Sequence, residues 1–181
     1  METKRLVLRH LEMNDLDDLY AFAKNPNVSP QAGWRQHQSR EESRQILSRM
    51  VTAPDQFAIM LKSTMKVIGI ISAGIDTSRR NLAAQTIGCA LNEAYWNQGL
   101  MTEAVGAMIR YLFMDPGTEL IAMDHFADNY GSQRVIEKNG FQYEGTMRQK
   151  IRLFNGEVKD CLCYSLTRAE FEAQTVSQDK D

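Results

Sequence analysis

What this sequence lacks narrows the field first. No apolar run approaches the roughly 20 residues that a membrane span requires. The opening residues, Met1-Glu2-Thr3-Lys4-Arg5, carry none of the apolar segment that heads a secreted chain. Histidine is scarce, and His10, His37 and His125 are too scattered to set up a metal site, so no metal is expected. Cysteine is scarce and odd in number: Cys89, Cys161 and Cys163 each lie in an apolar, strand-like run. That usage fits reduced, buried thiols and a cytoplasmic location better than a disulfide framework. Charge of one sign is lacking as well. Lys and Arg number 21 against 23 Asp and Glu, a net charge of -2. A large nucleic-acid footprint is therefore not expected, although a local basic patch stays open. There is no internal repeat and no low-complexity segment. What remains is 181 residues, 43% hydrophobic and 24% charged, enough for one domain with a good core and too few for two.

The pattern along the chain gives a β, α, α, β, β, β, α, β, α, β, β order. Arg5–Arg9 alternates, with Leu6 and Leu8 on one face. Asn14 or Asp15 caps a helix that carries Leu16, Leu19, Tyr20 and Phe22 and stops near Asn25-Pro26. A loop over 26–38 holds Trp34 and Arg35 in a polar setting. Ser39 with Glu42 reads as a capping box that opens a second helix. Strands at 56–61 and 67–75 form a hairpin, and a third strand covers about 83–91, ending at Leu91. A helix to about Phe113, a strand at 120–125 and a helix over 129–138 follow. Asn155-Gly156 turns a final hairpin between strands at 141–152 and 157–166. The expected fold is α/β: one domain over 1–172, with a central mixed, mainly antiparallel sheet flanked by helices. A polar tail over 173–181 is expected to fray.

The stretch Tyr95-Trp96-Asn97-Gln98-Gly99-Leu100-Met101-Thr102-Glu103-Ala104 joins the third strand to its helix. A glycine at the mouth of a helix gathers unpaired backbone N–H groups at the positive end of the helix dipole, and such a site binds phosphate. An ordinary strand–turn–helix connection has the same look. No lysine follows Gly99, which sets the stretch apart from a nucleotide P-loop. A crossover to a parallel strand would leave a crevice at this strand end, where ligands tend to bind.

Three separated pieces together resemble the GNAT superfamily of N-acetyltransferases, and within it the branch of the ribosomal-protein alanine and serine N-terminal acetyltransferases. The pieces are Glu2–Arg9 with the Asp15 helix, the Tyr95–Ala104 stretch, and Asn129–Phe141 followed by Glu144-Gly145-Thr146-Met147-Arg148. In order they span about residues 2 to 166. The resemblance implies an acetyl-CoA-dependent transfer of acetyl to a primary amine, either a protein N-terminus or a small amine. It implies a pyrophosphate cradle built from Gln98, Gly99, Leu100, Met101 and Thr102, beside Leu91. It places Asn129 near the pantetheine arm and Ser132 near the thioester sulfur, where Ser132 would supply a proton to the departing thiolate. Trp96, Asn97 and Met101 depart from the family's usual Arg or Gln, glycine and small residue.

Each of these residues also has a plainer role. Asn129 suits the N-cap of its helix, and Ser132 suits the first turn. Glu93, just past the third strand, is the leading candidate for the base, against a solvated charge at a strand end. Glu103 reads as a stabiliser of its helix N-terminus, and His125 ranks below Glu93 as a base. Trp34 and Arg35 are candidates for the acceptor wall. The other reading of the whole chain is a catalytically silent acyl-CoA-binding or sensor protein of the same fold. A monomer and a homodimer are both compatible with the sequence.

Overall fold

The structure is a computed structural model that describes residues 1–178. Strand β1 (Leu6–His10) is followed by a short 3-10 turn over Met13–Asp15 and by α1 (Leu16–Ala23). Next come α2 (Arg40–Met50), β2 (Gln56–Leu61), β3 (Lys66–Ile75) and β4 (Ala84–Leu91). A second 3-10 turn, Glu93–Tyr95, leads into α3 (Leu100–Phe113). The chain closes with β5 (Leu120–Phe126), α4 (Tyr130–Lys138), β6 (Gln142–Arg152), β7 (Val158–Thr167) and α5 (Arg168–Gln178). The strands form one seven-stranded sheet in the order β1-β2-β3-β4-β5-β7-β6. Every pairing is antiparallel except β4 with β5, where α3 makes the crossover. The expected α/β class and mixed, mainly antiparallel sheet are what the fold shows.

The local signals account for the elements. Ser39 accepts from the Glu42 N–H at 3.1 Å and caps α2, a contact worth about 1 kcal/mol in helices generally. Leu6 and Leu8 are buried together on one face of β1. Two apolar clusters cover the two faces of the sheet. One packs α3 and α4 residues such as Ala104, Met108 and Ile136 on Leu6, Ile71, Ile87 and Ile121. The other packs Leu19, Phe22 and Leu47 from α1 and α2 on Ala58 and Val67.

The chain does not fray at residue 173. Phe171 stacks on Phe113 at 4.9 Å, and Gln174 donates to the Gly140 carbonyl at 3.3 Å, so α5 stays docked. The polar composition concealed this because only one face of α5 meets the protein. The end of the expected tail, 179–181, lies outside the described residues.

Candidate active site

The pairing of β4 with β5 is short. It runs over Ala84–Leu120, Gln85–Ile121 and Thr86–Ala122 and then stops. Both strands continue, β4 bound to β3 as far as Leu91 and β5 bound to β7 as far as Phe126. The strands therefore diverge, and the β4 backbone beyond Thr86 has no strand partner on the β5 side. A cleft of about 1340 Å³ fills the fork. One wall is the α3 entrance with the start of α4; the opposite wall is the loop from Pro26 to Gly33. This is the crevice expected where a crossover leaves the C-terminal end of a parallel strand.

The α3 entrance has the uncapped helix start that suits an anion in proteins generally. Gly99 is its N-cap, with φ +72° in the left-handed region. Asn97 is also left-handed, at φ +59°. Leu100, Met101 and Thr102, which follow this double reversal, line the cleft. The helical ladder begins only at the Glu103 N–H, which donates to the Gly99 carbonyl at 3.1 Å. Among the described residues no side chain caps the N–H groups of this first turn. The unusual residues here have structural work. The Trp96 indole N–H donates to the Leu91 carbonyl at 2.8 Å, tying the loop back to the end of β4. Met101 is 9% exposed and extends the core under α3. Glu103 accepts from the Thr3 hydroxyl at 2.5 Å and from Arg5 Nε at 2.7 Å, while the Arg5 guanidinium also donates to the Gln98 carbonyl at 2.9 Å. Burial pushes the Glu103 carboxyl up, but these bonds outweigh it and hold it below its ordinary value. The chain start thus braces the loop from outside the cleft.

At the start of α4, Asn129 Oδ1 accepts from the Ser132 N–H at 3.0 Å, the cap expected of it. Asn129 lines the cleft, and no hydrogen-bond partner for its Nδ2 is found among the described residues. The Ser132 hydroxyl also lines the cleft, and no hydrogen-bond partner for it is found among the described residues. Arg134 and Lys138, one helical turn apart, line the same wall, and neither has an ion-pair partner among the described residues. Both were overlooked in the sequence. Their spacing of four puts them on one stripe of α4, a signal that was there to be read.

Three of the expected catalytic and acceptor-wall residues do not line the cleft. Glu93 Oε2 accepts from Asn25 Nδ2 at 2.8 Å, and its Oε1 from Asn27 Nδ2 at 2.9 Å. Those bonds lower its pKa, which weakens it as a base, and it does not line the cleft. It fastens the chain at Asn25 and Asn27 to the 3-10 turn that leads into the α3 entrance. Trp34 and Arg35 lie outside the cleft as well. Trp34 packs against the α1–α2 cluster, and Arg35 pairs with Glu42 at 2.5 Å. Pro26 to Gly33 forms the cleft wall instead.

His125 is buried on the cleft floor. Its Nδ1 meets the Phe126 carbonyl at 2.8 Å. A carbonyl only accepts, so Nδ1 carries the proton and Nε2 faces the Tyr164 hydroxyl, 3.4 Å away. Cys89 lines the cleft too, and burial pushes its thiol up to about 12. Among the described residues no cluster of side chains suited to a metal is present.

Comparison with known proteins follows the same lines. Residues 5–142 match the family model described as an acetyltransferase (GNAT) domain. YoaA of Bacillus subtilis, named an uncharacterized N-acetyltransferase, is 27% identical over 173 residues, covering 93% of this chain and 96% of its own. The crystal structure of ribosomal-protein-S5-alanine acetyltransferase from Vibrio fischeri is 23% identical with a TM-score of 0.75, covering 94% of this chain and 97% of that one. Spermidine N-acetyltransferase from Vibrio cholerae, in complex with CoA and spermine, is 16% identical with a TM-score of 0.76, covering 94% and 99%. The last two are equally alike in fold, so the ribosomal-protein branch is not singled out. With a family model matching residues 5–142, most of its length, the chain belongs to the GNAT family of acetyltransferases.

Proposed function

We propose that the protein transfers an acetyl group from acetyl-CoA to a primary amine by direct attack on the thioester. The observation that carries this reading is the β4–β5 fork, which opens beside the uncapped N-terminus of α3. Backbone amides of Gln98, Gly99, Leu100, Met101 and Thr102 hold the pyrophosphate, with the Leu91 end of β4 beside them. Arg134 and Lys138 add positive charge for the phosphates along the same wall. Asn129 Nδ2 orients the pantetheine arm. The thioester supplies the activated acyl group, and the chain supplies what surrounds it. Free backbone N–H groups of β4 past Thr86 face the place where negative charge builds on the carbonyl oxygen. The Ser132 hydroxyl gives its proton to the departing sulfur. Water relays the amine proton to solvent, in place of Glu93.

The acceptor is a small amine or a protein N-terminus, as in the ribosomal-protein alanine and serine branch. The chain acts in the cytoplasm as a monomer or homodimer, without metal or nucleic acid. No helix among the described residues is long and apolar enough to cross a membrane. A second reading is a silent acyl-CoA sensor, favoured by the placement of Glu93 outside the cleft. Calorimetry with acetyl-CoA, followed by release of free CoA over a panel of amines and N-terminal peptides, tests both. Binding with turnover supports the enzyme, binding without turnover on any acceptor supports the sensor, and no binding overturns the cleft assignment.

A further inference from the structure

The acceptor side of the fork carries one charged pair whose construction exceeds what fold support needs. Ala122 is the last β5 residue paired with β4, and Asp124 lies two positions beyond it. Alternate strand residues share a face, so Asp124 stands at the fork on the face that also carries Phe126. That is the face of the acceptor-side loop, since a Cβ at Gly33 would lie 3.4 Å from the Phe126 ring. Across the fork on the same face is Gly88, two residues past Thr86. β4 thus offers no side chain opposite Asp124, and even a Cβ at Gly88 would lie 3.2 Å from the Ser72 hydroxyl. Asp124 is exposed to the cleft while its neighbours Met123 and His125 are buried.

Seated on Asp124 is the Lys150 ammonium, at 2.6 Å. It arrives from β6, on the far side of β7, passing 3.9 Å from Cys163 Sγ. β6 is distorted to deliver it. The β6–β7 register breaks between Met147 and Ile151, and Gln149 takes φ +51°. The Gln149 N–H is satisfied by Asp160 Oδ1 at 2.7 Å. A bulge with a left-handed residue other than glycine costs free energy, and bulges are a means of re-aiming side chains next to active sites. Here the bulge adjoins Lys150, whose amine sits on the carboxylate at the fork.

We propose that Asp124 anchors the positive charge of the amine acceptor, and that Lys150 occupies this anchor until the acceptor arrives. The inference rests on the acetyl-transfer reading of the cleft. The acceptor it selects arrives as a primary alkylammonium ion, because the resident group is itself a primary ammonium on a methylene chain, and its proton leaves through water to solvent before the nitrogen attacks the thioester. An incoming amine exchanges one such pair for another, so the carboxylate is never left without a cation. Lys150 thereby competes with acceptor and sets a threshold on its concentration.

The test uses the full chain at saturating acetyl-CoA, reading free CoA release with propylamine, 1,4-diaminobutane and an alanine-initiated hexapeptide. Wild type is compared with Asp124→Asn, Lys150→Met and the double variant. Lys150→Met is expected to lower the alkylamine KM about two- to fivefold, the range of a partly exposed ion pair. Asp124→Asn should raise that KM at least about tenfold, the size of a lost hydrogen bond to a charged group. The double variant should match Asp124→Asn, since Lys150 then has nothing to cover. Acetyl-CoA affinity by calorimetry should stay within about twofold throughout, as neither residue lies on the cofactor wall. An alkylamine KM unmoved by Asp124→Asn, or raised by Lys150→Met, overturns the proposal. So does turnover of the peptide alone, or of no amine by either wild type or Lys150→Met while acetyl-CoA still binds. Failure of wild type to bind acetyl-CoA refutes the cleft assignment instead.

Discussion

Substitutions at Gly99 ask whether backbone or side chain holds the pyrophosphate. Gly99 sits at φ +72°, and a Cβ there would meet nothing closer than Arg5 Nη2, 3.6 Å away. Gly99→Ala therefore has room, and its cost is conformational, about 1–2 kcal/mol for an L-residue held left-handed. In a chain of this size each kcal/mol moves the thermal midpoint by about 2–4 °C, so the drop should be about 2–8 °C. If the free loop relaxes and must be re-formed on binding, the same energy appears as about a 5- to 30-fold weaker acetyl-CoA affinity. Gly99→Pro is qualitatively different. The proline ring fixes φ near −65°, which the observed turn excludes, and cofactor binding should be lost. Gln98→Ala is the control. The Gln98 side chain is exposed and makes one hydrogen bond, 3.1 Å to the Ala94 carbonyl, so affinity should stay within about threefold. Calorimetry with acetyl-CoA and a thermal melt on each variant read both quantities. Near-normal binding by Gly99→Pro, or a tenfold loss in Gln98→Ala, would refute backbone recognition.

Ser132→Ala should lower kcat about a hundredfold at saturating acetyl-CoA, with cofactor affinity preserved because the α4 cap uses the Ser132 N–H and not its hydroxyl. Full turnover in steady-state assays would remove Ser132 as the acid. Glu93→Ala releases Asn25 and Asn27 and should raise the acceptor KM several-fold while leaving the shape of the pH–rate profile unchanged. Loss of the basic limb of that profile would restore Glu93 as the base. Burial lowers the His37 pKa, so below about pH 6.5 the unfolded chain takes a proton that the folded chain resists. Stability should therefore fall as pH drops from 7.5 to 5.5. The fall should be smaller in His37→Asn, read as thermal midpoints across that range; equal slopes would exclude His37 as a contributor.

Much of the fold was legible because its signals are local. Alternation marks β1, Ser39 and Glu42 mark the start of α2, and Asn155-Gly156 marks the last hairpin. Each is a contact between residues a few positions apart. The turn at the α3 entrance was legible for the same reason, since a glycine before a helix fixes its own backbone geometry. The surroundings of Trp34, Arg35 and Glu93 were not legible because their partners are set by packing. Trp34 joined the α1–α2 core, and Glu93 found amides 66 and 68 positions earlier in the chain. α5 was hidden because one stacked aromatic, Phe171, holds a helix that is otherwise polar.

The sequence by itself determined the order of elements, the α3 entrance and the Asn129 cap, all of which depend on backbone preferences within a single turn. Tertiary structure alone decided where β4 and β5 part, which loop residues wall the cleft, and that Lys150 crosses β7 to reach Asp124. Strand pairing and its end point depend on residues far apart in the chain, and a side chain's partner is known only once the sheet has brought the two together.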